Sequence, residues 1–291
     1  ITTMQSEFYL KHKKNIDSFI NNAIDEDIGK GDFSSLSSIT KNKINSLELI
    51  SNEECTIAGL SLVGLIISKF NKKIKFISNY KDGQKIKKNS KILIITGPII
   101  DILSIERLIL NCLQRMSGVA TLTNNLVNKI SHTNCKILDT RKTTPNFRYP
   151  EKWAVKIGGA FNHRMDLSDE IMIKDNHIDF SKSLSHALNN VFSFKKKYKK
   201  EISVVVEVRN YEEILECLNF KWIDRLLLDN MSIREIKKSI KLIGGIFKTE
   251  ASGNINENNI KEIANTGVDY ISIGALTHSY KNIDLSFKVQ K

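Results

Sequence analysis

"SVVVEVRNYEEILECLNFKWIDRLLLDNMSIREIKKSIKLIGGIFKTEASG", Ser203 to Gly253, holds three short runs of strand-favouring residues separated by polar, helix-compatible text. The runs are SVVVEV, RLLLD and IFKTE. A strand with one wet face alternates apolar and polar residues, whereas near-continuous apolar runs belong to a sheet covered on both faces. The rhythm extends outward through KILDT and EIMIK upstream and DYISIG downstream, giving six strands. Strands alternating with helices indicate a parallel sheet, and six is too few for a complete eightfold barrel. Sites in such folds gather at the C-terminal ends of the strands. Arg141, Lys174, Glu207, Asp229, Glu250 and Gly274 stand there.

The first third reads differently. SEFYLKHKKNIDSFINNAIDED is helical text, and Gly29 and Gly31 in GKGD can turn the chain after it. INSLELIS, KIKFISNY and KILIITG alternate as strands with one wet face do, and AGLSLVGLIISKF has helical spacing. Together these predict a sheet with helices on one face. Farther on, SIERLILNCLQRMSG predicts a buried helix capped by Ser104 and ended by Gly118, followed by a second helix over ATLTNNLVNKI.

Composition narrows the function. The chain has 291 residues, 41% hydrophobic and 26% charged, an ordinary globular balance. No apolar run approaches the roughly 18 residues of a membrane span, and no secretory apolar core opens the chain, so a membrane role is not expected. Cys55, Cys112, Cys135 and Cys217 are scattered without metal-site spacing, which predicts buried, reduced thiols. The net charge of +12 points to anionic partners. KKKYKK, Lys195 to Lys200, is read as the solvated end of a helix. A nucleic-acid surface is disfavoured, because stacking aromatics do not accompany the lysine runs.

The cations between Ile137 and Ile178 are more informative. Arg141 and Lys142 close one strand, Lys174 closes the next, and His163 and Arg164 lie in the loop between. Cations gathered in one cleft repel each other unless an anion completes them, and arginine's fork matches carboxylate or phosphate oxygens in pairs. Glu207 and Asp229 suit ribose hydroxyls or magnesium. Ser252, Gly253 and Gly274 directly follow strands, where exposed backbone N–H groups can approach a phosphate. Blander readings stand beside these. Asp139 and Asp229 can cap the next element, His163 can be a structural hydrogen-bonder, and Glu207 can be a paired core group. Arg148 and Lys152 are expected on a solvated helix start.

The long motifs, taken in order, resemble the carboxylating nicotinate-nucleotide pyrophosphorylases, or quinolinate phosphoribosyltransferases. They are EDIGKGD, ERLILNCLQRMSGVAT, LDTRKTTP, GGAFNHRMDLSD, IKDNH, VEV, LLLDNM, EASGNI and GVDYISIGALTHS. The resemblance implies an N-terminal α/β open-faced sandwich over 1–117 and, over 118–276, an α/β barrel with fewer than eight parallel strands. The tail, 277–291, is expected to return to the sandwich. It implies transfer of phosphoribosyl from phosphoribosyl pyrophosphate to quinolinate with loss of carbon dioxide, in de novo NAD synthesis, with magnesium and no organic cofactor. A cytoplasmic homodimer is implied, with Arg107 reaching the neighbour's site and a higher oligomer left open.

Carried over by motif, Arg107, Arg141, His163 and Arg164 hold the quinolinate carboxylates. Lys142 and Lys174 meet substrate and pyrophosphate charge, and Thr143 joins this binding set. Glu207 and Asp229 address ribose and magnesium. Ser252, Gly253, Asn254 and Gly274 take the phosphate, and Ser272 joins the substrate-binding residues. Lys142, His163, Lys174, Glu207 and Asp229 form the implied catalytic group, with His163 or Lys174 supplying the replacing proton. Three positions depart from the family pattern: Asn146, where glycine is frequent, Val205, where an acid is frequent, and the bulky Phe161. The rivals are a molybdenum-uptake paralogue or a nicotinate-using transferase among enzymes, and a nucleic-acid-binding protein outside them.

Overall fold

The computed structural model describes residues 6–40, 43–198 and 201–290. The chain divides into two compact units. One comprises the residues through Asn124, Thr143–Gly159 and Leu276 onward; the other is Asn125–Lys142 with Ala160–Ala275.

In the first unit, α1 (Glu7–Lys11) starts at Ser6, whose side chain accepts from the Tyr9 N–H. Helix α2 (Lys13–Ile28) ends at Gly29 with φ 52°, and Asp32 caps α3 (Phe33–Ser38). Strands β1 (Ile44–Ser51), β3 (Lys75–Ser78), β5 (Lys91–Pro98) and β12 (Leu285–Val289) form an antiparallel sheet in the order β12-β1-β5-β3. A two-stranded ribbon pairs β2 (Cys55–Thr56) with β4 (Lys85–Ile86). Helices α4 (Leu60–Phe70), α5 (Ile99–Ile130) as far as Asn124, α6 (Arg148–Ile157) and the short α12 (Ala275–His278) from Leu276 complete this unit. The core of this unit includes Leu49, Leu62, Ile66, Ile92 and Ile105, all fully buried.

Two expectations fail here. The helix expected to stop at Gly118 runs on as one helix of 32 residues, and the Ser104 hydroxyl donates back to the Ile100 carbonyl inside it. Gly118 is there for space: a Cβ would sit 2.3 Å from the Lys281 carbonyl oxygen and 2.9 Å from Tyr280 Cδ2. Gly118→Ala should therefore destabilise the protein by about 1–3 kcal/mol, because backbone rather than a flexible side chain must yield. A lowered urea midpoint at unchanged secondary structure checks this.

The second concerns Thr143–Gly159, placed by sequence in the barrel but packed with the first unit. Trp153 stacks on Phe8 at 5.6 Å between ring centroids, and Phe147 meets Phe19 edge-on at 5.3 Å. Lys152, expected in solvent, is fully buried, as is Glu151. The Glu151 carboxylate accepts from the Thr144 N–H and hydroxyl and pairs with Arg115 at 3.2 Å.

In the second unit all six expected strands form: β6 (Lys136–Leu138), β7 (Ile171–Ile173), β8 (Val204–Val208), β9 (Arg225–Asp229), β10 (Lys248–Ser252) and β11 (Tyr270–Ser272). They pair in parallel in the order β6-β11-β10-β9-β8-β7, an α/β barrel with fewer than eight strands. Phe161 adds a single parallel bridge to Leu138 beyond β6. The helices are α7 (Asp175–Asp179), α8 (Leu184–Tyr198), α9 (Tyr211–Cys217), α10 (Ile233–Ile243) and α11 (Ile260–Ala264). Local signals set their ends: Asn210 caps α9, while a Ser232–Glu235 capping box starts α10 and left-handed Gly244 stops it. Lys195–Lys197 occupy the last turn of α8, and Lys199 and Lys200 lie outside the described residues. Among the described residues no helix is long and apolar enough to cross a membrane.

Candidate active site

Strand register decides which side chains meet. Neighbours in a parallel sheet that share a level face the same way, and the facing repeats every second residue. The pairs Met172↔Val205, Val205↔Arg225, Arg225↔Lys248, Glu250↔Tyr270 and Tyr270↔Lys136 therefore define one face. Stepping by two along each strand puts Glu207, Asp229, Ser252 and Ser272 on it as well. Lys174 follows β7 in extended conformation and joins the same face. The opposite face carries Val204, Val206, Val208, Leu226, Leu228 and Ile271, all fully buried. One face is thus apolar packing, and the other gathers the polar strand ends.

On that polar face Lys174 Nζ lies 2.7 Å from Glu207 Oε2, a pairing that neutralises both. Asp229 accepts from Asn230 Nδ2 at 2.7 Å. Asn230 Oδ1 in turn accepts from Asn254 Nδ2 at 3.1 Å. Gly253 has φ 96°, and a Cβ there would meet Asn230 Oδ1 at 2.1 Å, so no larger residue fits. Sequence reading missed Asn230, although it directly follows a strand-terminal aspartate and adopts the left-handed φ of 53°. Gly274 follows β11 at partial exposure.

The arginines stand apart from this paired group. Arg164 is half-buried; burial, and then the nearby positive charge of Arg141, hold its guanidinium pKa below the ordinary value. Arg164 Nη1 donates to the Glu170 carbonyl at 3.0 Å. Lys142 is exposed, its N–H donating to Thr140 Oγ1 at 3.0 Å. Arg107 and Thr143 belong to the first unit. There Arg107 is exposed on α5, and Thr143 accepts from Arg148 Nε at 3.0 Å.

His163 is less open than a substrate-binding residue was expected to be. Its side chain is 5% exposed, with Nδ1 3.3 Å from Glu170 Oε1 and Nε2 3.4 Å from Glu250 Oε1. Nδ1 also accepts the Arg164 N–H at 2.8 Å. Arg225 bridges the two acids, with Nη2 2.9 Å from Glu170 Oε2 and Nε 3.0 Å from Glu250 Oε2. Burial pushes the Glu250 carboxyl up, but His163 and Arg225, with the Ser272 hydroxyl, hold it below the usual range. Ser272 is itself buried. Asp139 does not cap a helix: fully buried, it accepts from the His163 N–H at 2.8 Å and from Asn162 Nδ2 at 2.6 Å.

Comparison with known proteins identifies the family. Residues 119–288 match the family model "Quinolinate phosphoribosyl transferase, C-terminal domain", and residues 32–117 match its N-terminal counterpart. The chain belongs to the quinolinate phosphoribosyltransferase family. A tobacco (Nicotiana tabacum) relative, "Quinolinate phosphoribosyltransferase [decarboxylating] 2b, mitochondrial", is 39% identical over 92% of this chain and 80% of its own length. A Bacillus subtilis relative, "Probable nicotinate-nucleotide pyrophosphorylase [carboxylating]", is 37% identical over 91% of this chain and 90% of its own length. Among solved structures, the nicotinate-nucleotide pyrophosphorylase of Francisella tularensis superposes with a TM-score of 0.87. It is 38% identical, covering 95% of this chain and 96% of that one.

The departures from the quinolinate phosphoribosyltransferase pattern have local accounts. Asn146 holds φ 62°, a left-handed conformation that asparagine tolerates better than most residues. Phe161 is at the sheet margin with its ring exposed, 5.2 Å from Lys136 Nζ. Val205 is fully buried on the polar face, one level below Glu207, so this chain has apolar packing there. Magnesium has a limited fit. Among the described residues no group of three or more His, Cys, Asp or Glu could hold a metal. Magnesium is commonly held by one or two carboxylates plus substrate phosphates, and Glu207 and Asp229 suit that role alone.

Proposed function

We propose that the chain joins quinolinate to the ribose of phosphoribosyl pyrophosphate and decarboxylates it, giving nicotinate mononucleotide, carbon dioxide and pyrophosphate for NAD synthesis. The observation that carries this reading is the family match over residues 32–117 and 119–288, beside which Arg141 and Arg164 form a cationic pair, Arg164 held below its ordinary pKa by burial first and by Arg141 second. Such a pair is relieved by a dianion, and two adjacent carboxylates supply one with matching geometry.

The chemistry follows from charge. As the bond from ribose C1 to pyrophosphate breaks, positive charge develops on the sugar, and the pyrophosphate takes the electron pair. Carboxylates of Glu207 and Asp229 favour the first charge, and cations Lys142 and Lys174 the second. The quinolinate nitrogen bonds to C1 and becomes a pyridinium. Loss of the C2 carboxylate as carbon dioxide leaves its electron pair at C2, where the neighbouring cationic nitrogen stabilises it until a proton arrives. Lys174 supplies that proton, since both His163 ring nitrogens are turned toward Arg164, Glu170 and Glu250 inside the fold. No organic cofactor is required, since the ring is its own electron sink.

The Lys174–Glu207 contact has a consequence in this scheme. Each group must exchange its partner for substrate, so the pair acts as a placeholder that keeps two charges satisfied before binding. Magnesium carried on the pyrophosphate would be held by Glu207 and Asp229 and would supply charge neutralisation. Ser252, Gly253, Asn254 and Gly274 take the 5′-phosphate. The reading includes a homodimer in which Arg107 serves the neighbour's site, supported by the exposure of Arg107 on α5. It also includes a reducing, cytoplasmic setting, supported by four free cysteines.

Turnover decides the substrate. With phosphoribosyl pyrophosphate and magnesium, quinolinate should react at least about 100-fold more efficiently than nicotinate, since a monoacid leaves one arginine unfilled. One carbon dioxide should be released per nucleotide formed. Equal use of nicotinate, or nucleotide formed without carbon dioxide, would reverse the assignment.

A further inference from the structure

Below the polar strand ends lies a set of buried charges that the reaction scheme does not use. Glu250 is fully buried, Glu170 and Arg225 are nearly so, and the His163 ring sits between the two acids. Tyr270 covers the guanidinium of Arg225 at 5.0 Å from its ring centroid. Taking such charges out of water is costly, and apolar residues of similar volume would often be at least as stable. What the charges do supply is geometry. Arg225 donates to Glu170 through Nη2 and makes a 3.0 Å ion-pair contact with Glu250 through Nε, so one planar group stands between two carboxylates. Those carboxylates flank the imidazole on both sides.

The ring is tied in turn to the next residue. Nδ1 accepts the Arg164 N–H at 2.8 Å and Nε2 lies 3.4 Å from Glu250 Oε1, so rotation of the ring would break the backbone contact. Asp139 holds the same segment from its other side through the His163 N–H and Asn162. Arg164 thereby projects from a segment fixed at its backbone, which keeps its guanidinium beside Arg141 despite their repulsion.

We propose that Glu250 and Arg225, with Glu170, are positioning residues for the dicarboxylate half of the site, acting through His163 to hold Arg164 beside Arg141. This rests on the reading that Arg141 and Arg164 bind quinolinate. The pair touches no reacting atom, and its influence is directional. Two bound carboxylates need both guanidiniums in register, whereas the phosphoribosyl ligands come from other strand ends.

The test compares Glu250→Gln and Arg225→Lys with the unsubstituted enzyme. Each keeps the size or charge of the original side chain but breaks the two-acid bridge. The expected result is a rise of about 10- to 100-fold in the KM for quinolinate, with the KM for phosphoribosyl pyrophosphate within about threefold of normal. A triple variant, Glu170→Gln, Arg225→Met and Glu250→Gln, removes all three buried charges together and should recover thermal stability without recovering quinolinate KM. A purely structural role would instead restore both together. If Glu250→Gln does not fold, Arg225→Lys is judged by the same two constants. Unchanged quinolinate KM, or equal rises for both substrates, would overturn the positioning role. Failure of the unsubstituted enzyme to use quinolinate would instead fault the function on which it rests.

Discussion

Arg141→Ala is expected to fold normally and to lose about 100-fold or more in kcat/KM for quinolinate, because one buried charge–carboxylate contact is worth about 2–5 kcal/mol. Two effects compete in this variant. Removing Arg141 deletes a cation from beside Arg164, which relieves repulsion and lets the Arg164 guanidinium pKa rise, while burial still holds it below its ordinary value. It also removes a side chain whose Nε is buried, which costs some packing. These oppose each other, so the thermal midpoint should shift little while the acid loses half its clamp. The loss should fall mainly on quinolinate, with the KM for phosphoribosyl pyrophosphate nearly unchanged. Steady-state kinetics with each substrate varied in turn, beside a melting curve, measures all three quantities. Normal quinolinate kinetics in a folded variant would remove Arg141 from the site.

The second large effect is recovery of activity. Arg107→Ala and Lys174→Ala should each abolish nearly all turnover, for different reasons. Arg107 is exposed on α5 in the first unit, and its loss disturbs little around it beyond removing a charge that favours ionisation of Glu106. Lys174 is the partner of the largely buried Glu207 in the second unit. If the dimer shares sites as proposed, a heterodimer has one site with both defects and one with neither. Equal mixing makes half the dimers mixed, so about a quarter of all sites should become active. Co-expression with two different affinity tags, followed by tandem purification, isolates the mixed species. Confirmed heterodimers without activity would count against a site built from two chains.

Sequence pattern and structure agree where the information is short-range. Six strands and their parallel direction follow from β-branched runs divided by helical text, and all six form. The caps at Ser6, Asp32, Asn210 and Ser232 are equally local, each a side chain bonding to a backbone N–H three residues on. The cations Arg141 and Lys174 could be found by noting which residues end strands, and Arg164 by its place in the loop between them. Family resemblance then supplied a reaction, which residue spacing alone would not have done.

The errors share one cause. Gly118 has the composition of a helix stop, yet it lies in mid-helix because the Lys281 backbone crosses it. Lys152 has the chemistry of a solvated residue, yet α6 packs it wholly inside the first unit. Glu170, Arg225 and Glu250 drew no functional assignment. A strand buried on both faces leaves no alternation to show which side a charge takes.

A chain's own residues dictate strand count, direction, helix ends and the polarity of strand tips, because each depends on neighbours a few positions away. The partner of each buried charge, the side of the sheet it occupies and the backbone that crosses a glycine were settled by folding. Those contacts join positions far apart in the chain, and register and packing, rather than residue type, bring them within reach of one another.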